Sequence, residues 1–452
     1  MKQYVYFLSI CLLLTVTVSA QMTTRVVADH LFIPWEMVYA PDNHIWFTQK
    51  NGYICRLEPS GGAIDTLYHE VNTSVIKEGG LLGMVLHPDF PNTPYIYIAY
   101  NYDKSGSYTE RIQRLTYSSG MLGNPFVLLD NINGAKYHNG CRLAIVDNHL
   151  FITTGDATTG SVAQDNTAIN GKILRINLDG TIPADNPIPS SPIWSKGHRN
   201  AQGLIYANGF LYSSEHGPDT DDEFNIIQKG RNYGWPNVEG YCNLPAEITF
   251  CNDSNVVEPL HAWTPTIAVS SIAYYNHPMF PDLQGSILMN TLKDKQLYEL
   301  ELNNTHDKVS NIKIISQVTG HRLRAICVDP DGRIYVSTSD SKASGDSALT
   351  DQIIEIYDPS YSHVGQVLKE KGQTVAVYPN PARNEINIYA NISKGNDEHE
   401  YMLTSTSGQV VSKGELQSGN NTINLGNLDS GVYWVEVIRQ GTRVFGTKFS
   451  KL

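Results

Sequence analysis

Charge is scarce in this chain, with only 17 % of its 452 residues being Asp, Glu, Lys or Arg. The acidic ones prevail, and a formal net charge of −12 argues against a nucleic-acid partner, which needs a basic surface. Beyond the first twenty residues no apolar run has the length of a membrane-spanning helix, so the mature chain is expected to have no transmembrane segment. Cysteine is also sparse, six in all, and no Cys-x-x-Cys occurs, which excludes the common thiolate zinc sites. No acidic stretch carries EF-hand spacing. What is present in quantity, 36 Gly and 26 Tyr together with many Asn, suits short strands and turns rather than helices.

The first twenty residues read as a leader. Lys2 precedes the apolar run Phe7 to Val18, and Val18-Ser19-Ala20 supplies a small-residue cleavage site, so residues 1–20 are expected to be a secretory signal peptide. Cys11 leaves with it. Cys242 and Cys251 bracket a polar loop that a disulfide would close, whereas Cys55, Cys141 and Cys327 sit in strand-like runs and read as buried hydrophobes.

Residues 197–218 show how the chain brings distant polar groups together. Leu204 to Tyr206 and Phe210 to Ser213 are apolar runs joined by Ala-Asn-Gly, a hairpin signal. Arg199 and Asn200 lead in and Glu215 to Pro218 lead out, so both sets should meet at one end. The pattern recurs, with second apolar runs beginning near residues 45, 95, 150, 210, 286 and 333. Such a period of roughly 50 to 75 residues predicts an all-β fold, a six-bladed β-propeller. The unusual polar residues fall at the entering and leaving ends of these hairpins, which in a propeller line one face. They include Glu78, His138, Asp156, Arg199, Asn200, Gly217, Pro218, Lys293, Arg322 and Arg324.

Three chemistries suggest themselves. His138 and Asp156 flank one hairpin, where a carboxylate would hold one imidazole nitrogen and leave the other as a base. Lys293, Arg322, Arg324 and Arg199 would concentrate cations in an acidic protein, either for an anionic ligand or for pairing with Asp294, Asp329 and Asp331. Glu215 to Asn225 is rich in hard oxygen ligands, and the carbonyls at Gly217 and Pro218 suit calcium, although an acidic surface turn has the same composition.

After Tyr357 the composition changes. Residues 359–374 read as a polar linker, and 375–452 as alternating strands of a small antiparallel β-sandwich. Val377-Tyr-Pro-Asn-Pro381, Leu428-Asp-Ser-Gly-Val-Tyr433 and the basic terminus resemble the C-terminal sorting domain of type IX secretion cargo. That resemblance implies a Gram-negative source, the type IX secretion machinery as partner, and a secreted or cell-surface destination. A carbohydrate-binding sandwich is the competing reading, without an aromatic platform to support it.

Residues 23–358 resemble the soluble glucose/sorbosone dehydrogenase family, the pyrroloquinoline quinone (PQQ) dependent aldose sugar dehydrogenases. The resemblance rests on a collinear string: Gly79-Gly-Leu-Leu-Gly83 with His87-Pro-Asp-Phe90, His138-Asn-Gly-Cys-Arg-Leu143 with Thr154-Gly-Asp156, Gly197-His-Arg-Asn-Ala-Gln-Gly203, Glu215-His-Gly-Pro218 with Asp221-Asp-Glu-Phe-Asn225, Asn232-Tyr-Gly-Trp-Pro236, Thr291-Leu-Lys293 and Arg322-Leu-Arg324. It implies an oxidoreductase that takes the C1 hydroxyl of an aldose to the lactone, with PQQ and Ca2+ as cofactors and an external electron acceptor as partner. His138 would be the general base, Asp156 its orienting carboxylate, and hydride would pass from C1 to the quinone. Arg199 and Asn200 would bind the quinone where charge develops, and Lys293, Arg322 and Arg324 its carboxylates and ring oxygens. Gly217 and Pro218 would hold the catalytic calcium, and Glu223 and Tyr233 a second, structural one. Glu78 stands where well-characterised members have a glutamine on the cofactor. A carboxylate there is unfavourable unless protonated or turned away, and it favours the alternative of a non-catalytic surface propeller that binds a glycan or protein. A calcium-dependent lactonase propeller is a third reading, but it would need side-chain calcium ligands from several blades.

Overall fold

Short runs of β-branched and aromatic residues, each cut by Gly, Asn or Pro, leave little room for helices. The structure, a computed structural model, is accordingly all-β: eight four-stranded antiparallel sheets with one α-helix and a few short 3-10 turns among the described residues. Those residues are 21–341, 349–359, 361, 368–370, 373–378, 382, 384–391, 399–406, 408–439 and 441–451. The expected leader, most of the expected linker and Pro379 to Pro381 lie outside them.

Six sheets come from residues 23–357. Their leading strands are Pro34–Tyr39, Leu81–Leu86, Gly140–Val146, Ala201–Ala207, Val269–Tyr275 and Leu323–Val328. Each leading strand packs beside those of the sheets before and after it, and the last returns to the first. The cycle is closed by the chain's own start, since Thr23–Leu31 pairs with Asp351–Tyr357 as the outer strand of the last sheet. Apolar clusters fill the wedges between neighbouring sheets: Trp46 and Leu67 from one meet Ile98 and Leu115 from the next, all at 1 % exposure or less. Truncating such a side chain to Ala costs about 3–5 kcal/mol for Trp.

The Ala-Asn-Gly hairpin forms where the sequence predicts it. Ala201 faces Glu215 and Ala207 faces Phe210, and Asn208 and Gly209 both adopt positive φ, at 52° and 84°. Asn-Gly tolerates that pair of left-handed residues, so the turn matches strand twist and sets the register. The Cys242–Cys251 disulfide is present, and Cys55, Cys141 and Cys327 are free and buried. The loop expected between the disulfide partners is mostly helical, for an α-helix spans Pro245–Ser254 and carries Cys251. Pro at its start, Glu247 receiving the Leu244 N–H and a left-handed Asn255 at its end supply the start and stop signals.

Residues 368–451 contribute the remaining two sheets. Val377 and Ile388 from one and Leu403, Val435 and Phe449 from the other share one apolar cluster.

Candidate active site

The first strand of each sheet runs away from one face of the ring and the second returns to it, so that the residues before the first and after the second converge there. His138 precedes Gly140–Val146 and Asp156 follows His149–Thr154. His138 Nδ1 and Asp156 Oδ1 lie 2.8 Å apart. The carboxylate can only accept, so Nδ1 carries the proton, and in the neutral ring Nε2 presents a lone pair. Two further donors fix the carboxylate: Thr158 N–H to Oδ1 and the Trp235 indole N–H to Oδ2, each at 2.8 Å. His138 holds φ at 59°, and its carbonyl passes so close to Gly155 that any Cβ there would collide with it.

Glu78 is occupied rather than loose. Its Oε2 accepts the His138 backbone N–H at 2.9 Å. Its charge also favours the protonated forms of Lys50 and Arg324, while burial pushes the Lys50 ammonium down to about 8 and the Arg324 guanidinium down to about 9. Lys50 is buried and donates to the Lys77 carbonyl. The carboxylate therefore offsets cations of the site.

Arg199 and Asn200 are held from behind. Both backbone N–H groups donate to Glu215 Oε1, whose other oxygen takes His198 Nδ1 at 2.8 Å. Arg199 also donates to the His216 carbonyl at 3.3 Å and lies over the Trp235 ring. Arg322 donates to the Leu292 carbonyl at 3.2 Å, next to Lys293, which itself donates to Thr266 Oγ1 at 2.8 Å. Among the described residues no carboxylate forms an ion pair with Arg199, Lys293, Arg322 or Arg324. Asp294 takes the Tyr298 hydroxyl instead, and Asp329 and Asp331 face Arg333. A small central cavity is lined by Trp35, Glu78, Asn139, Gln202, His216 and Arg324.

Gly217 and Pro218 line an adjoining cavity with Arg199, Glu223, Tyr233 and Trp235. Gly217 N–H is tied to Asp222 at 2.9 Å, and among the described residues no hydrogen bond takes the carbonyl of Gly217 or Pro218. Glu223 accepts from Asn225 and Gly240, and burial followed by the neighbouring Glu215 pushes its carboxyl up to about 8. Tyr233 donates to the Ile226 carbonyl and stacks on His198. Among the described residues no group of three or more His, Cys, Asp or Glu side chains is set to hold a metal, so a cation here would need carbonyls beside any side-chain ligand.

Several buried polar atoms within the site motifs have no protein partner. Arg199 Nε, Asn200 Nδ2, Asn139 Nδ2 and Arg324 Nε are all buried without a partner. All are donors, and a set of buried donors fits an oxygen-rich anion with several carboxylates or carbonyls. PQQ has that chemistry. Sequence reasoning missed Asn139, Gln202, Lys50, Trp235 and the His198–Glu215 pair. All but Lys50 lie inside or beside motifs already singled out, and flanking position was the available signal.

Residues 31–349 match the family model described as glucose/sorbosone dehydrogenase, and residues 376–449 match that of a secretion system C-terminal sorting domain. Quinoprotein glucose dehydrogenase B of Acinetobacter calcoaceticus is 38 % identical over 411 residues, covering 71 % of this chain and 86 % of that protein. Aldose sugar dehydrogenase YliI of Escherichia coli is 31 % identical over 346 residues, covering 71 % of this chain and 91 % of its own. Among solved structures, the PQQ-bound form of an aldose sugar dehydrogenase from Streptomyces coelicolor superposes with a TM-score of 0.65 at 29 % identity, covering 75 % of this chain and 98 % of that one.

Proposed function

The chain belongs to the glucose/sorbosone dehydrogenase family, and from that premise we propose that it oxidises the C1 hydroxyl of aldose sugars to the lactone, using PQQ and calcium. The observation that carries the reading is a paired histidine with a free Nε2 beside a cluster of unpaired donors. When bound, PQQ supplies a two-electron acceptor for hydride and calcium polarises its carbonyl. His138 Nε2 takes the hydroxyl proton as the C1 hydrogen leaves, and Asp156 holds the ring and steadies the imidazolium. Arg199 and Asn200 place N–H groups where negative charge grows. Lys293, Arg322 and Arg324 bind carboxylates, Gly217 and Pro218 offer carbonyls to calcium, and Glu223 with the Tyr233 backbone forms a second cation site.

The cyclic packing of the leading strands supports a six-bladed propeller over 23–358, and the shared cluster of the last two sheets supports a sandwich over 375–452. We assign the sandwich as an export address for type IX passage, after a leader at 1–20 and a linker at 359–374. A chain ending near Tyr357 is then expected to keep its activity and stay periplasmic in its native host; its appearance outside the cell would overturn the address.

A non-catalytic surface binder was favoured by Glu78. Its bond to His138 N–H gives that carboxylate a task compatible with an anionic cofactor. Purified apoprotein given PQQ, calcium and an aldose is expected to show reduction of the quinone absorbance. PQQ binding without reduction by any aldose would favour the binder.

A further inference from the structure

Asn and Gln side chains present an oxygen and a nitrogen of nearly equal shape, so their orientation is set by what surrounds them. Gln202 is 6 % exposed and lies between two elements of the candidate site. Its Oε1 accepts Arg324 Nη1–H at 2.9 Å, its Nε2 donates to Asn200 Oδ1 at 3.0 Å, and its own carbonyl accepts Arg142 Nε–H at 2.8 Å. Asn200 Oδ1 also accepts the Gly140 N–H at 3.1 Å, and Asn200 Nδ2 is left buried with no partner.

We propose that Gln202 is a positioning residue that transmits polarity from Arg324 to Asn200, so that Asn200 presents an N–H donor and not an oxygen to the cofactor. A guanidinium has no acceptor, so the Gln202 oxygen must face Arg324. Its nitrogen must then face Asn200, which holds the Asn200 oxygen on Gln202 and leaves the Asn200 NH2 without a protein partner. The backbone N–H of Gly140 enforces the same choice from a second side. Residues from two sheets, contributed by Ala201–Ala207 and Leu323–Val328, thereby share one orientation. The inference rests on the proposed role of Asn200 toward PQQ.

Gln202→Glu keeps size, retains an acceptor for Arg324 and places a second acceptor against Asn200 Oδ1, so the Asn200 amide is pushed to turn. PQQ affinity is measured by titration of the apoprotein with calcium in the parent, Gln202→Glu, Asn200→Ala and the double variant, with thermal unfolding recorded for each. The expected loss for Gln202→Glu is about 10-fold or more in the parent and less than about 3-fold in the Asn200→Ala background. An equal loss in both backgrounds would mean that the new charge acts on Arg324 alone, and overturns the proposal. Gln202→Met, without a second acceptor, is expected to weaken binding less than Gln202→Glu; the reverse order also overturns it. An atomic-resolution crystal structure of the unliganded parent separates this inference from the functional reading. Asn200 Oδ1 on Gln202 Nε2 and the Gly140 N–H supports the relay even if PQQ does not bind, and the reversed amide, with Nδ2 toward those two groups, overturns it even if PQQ does.

Discussion

Three His–carboxylate pairs stand within the same ring face, His321 with Asp340 at 2.8 Å being the most exposed, and the two inner ones are the instructive comparison. His138 Nδ1 and Asp156 Oδ1 are 2.8 Å apart, as are His198 Nδ1 and Glu215 Oε2, and the partners are 18 and 17 residues apart in sequence. Their second nitrogens differ. His198 Nε2 meets Ser195 Oγ at 2.9 Å inside a side-chain environment with 0 % exposure, whereas His138 is 19 % exposed and its Nε2 makes no hydrogen bond among the described residues. Pairing with a carboxylate thus does not make a base. A free second nitrogen is needed, and so is a place beside the unpaired donors, which His138 has through its neighbour Asn139.

The contrast can be broken most severely at Glu215. Glu215→Ala strands His198 and the backbone N–H groups of Arg199 and Asn200, and should cost about 3–5 kcal/mol in denaturant unfolding. Asp156→Asn should leave stability much closer to the parent while lowering the rate, and equal destabilisation by the two would erase the distinction. His138→Gln keeps hydrogen-bonding capacity but cannot accept the proton, so single-turnover quinone reduction should fall by about 10²-fold or more with PQQ and calcium binding nearly unchanged. Asp156→Asn should fall less far, and His198→Gln should lose stability before rate. A parental rate in His138→Gln would remove it as the base.

Smaller effects sharpen the picture of the unpaired donors. Lys293→Ala or Arg324→Ala should weaken PQQ binding by about 1.5–3 kcal/mol for each charge-assisted hydrogen bond removed, read by titration of the apoprotein. Unchanged affinity in both would separate the cations from the cofactor. A stability effect of a different kind, read only in its pH dependence, lies behind the site at Lys172. Its Nζ donates to the carbonyls of Val162 and Asn170, and burial lowers its pKa from 10.5 to about 7. The folded chain then binds fewer protons than the unfolded one between those values, so stability should rise with pH from about 7 to 10.5. Lys172→Met should flatten that part of the urea-stability profile.

Much of this was legible without coordinates. Ala-Asn-Gly and its counterparts announce hairpins, and an antiparallel hairpin must return its flanks to one end. That is why His138 with Asp156, and Arg199 with Glu215, could be placed together by topology alone. Asn139, Gln202 and Trp235 were not legible because their roles depend on which atom of a side chain faces which neighbour across sheets. Spacing along a strand carries no information about that. The helix Pro245–Ser254, which takes in Cys251, was missed for a related reason: its caps are local, but no residue of it is buried, so it has no apolar periodicity to reveal it.

The outer strand that closes the ring also fixes where the chain leaves it. Thr23 faces Tyr357 and Leu31 faces Asp351, and Asp351 lies beside Ile33, at the end where the leading strands begin. Thr23 and Tyr357 therefore sit at the opposite end, with Gln21 N–H on Asp358. The last strand of the ring therefore ends on the face remote from the candidate site. Whatever follows Tyr357 is thus joined to the ring at its back, and the approach to His138 is left clear of that junction.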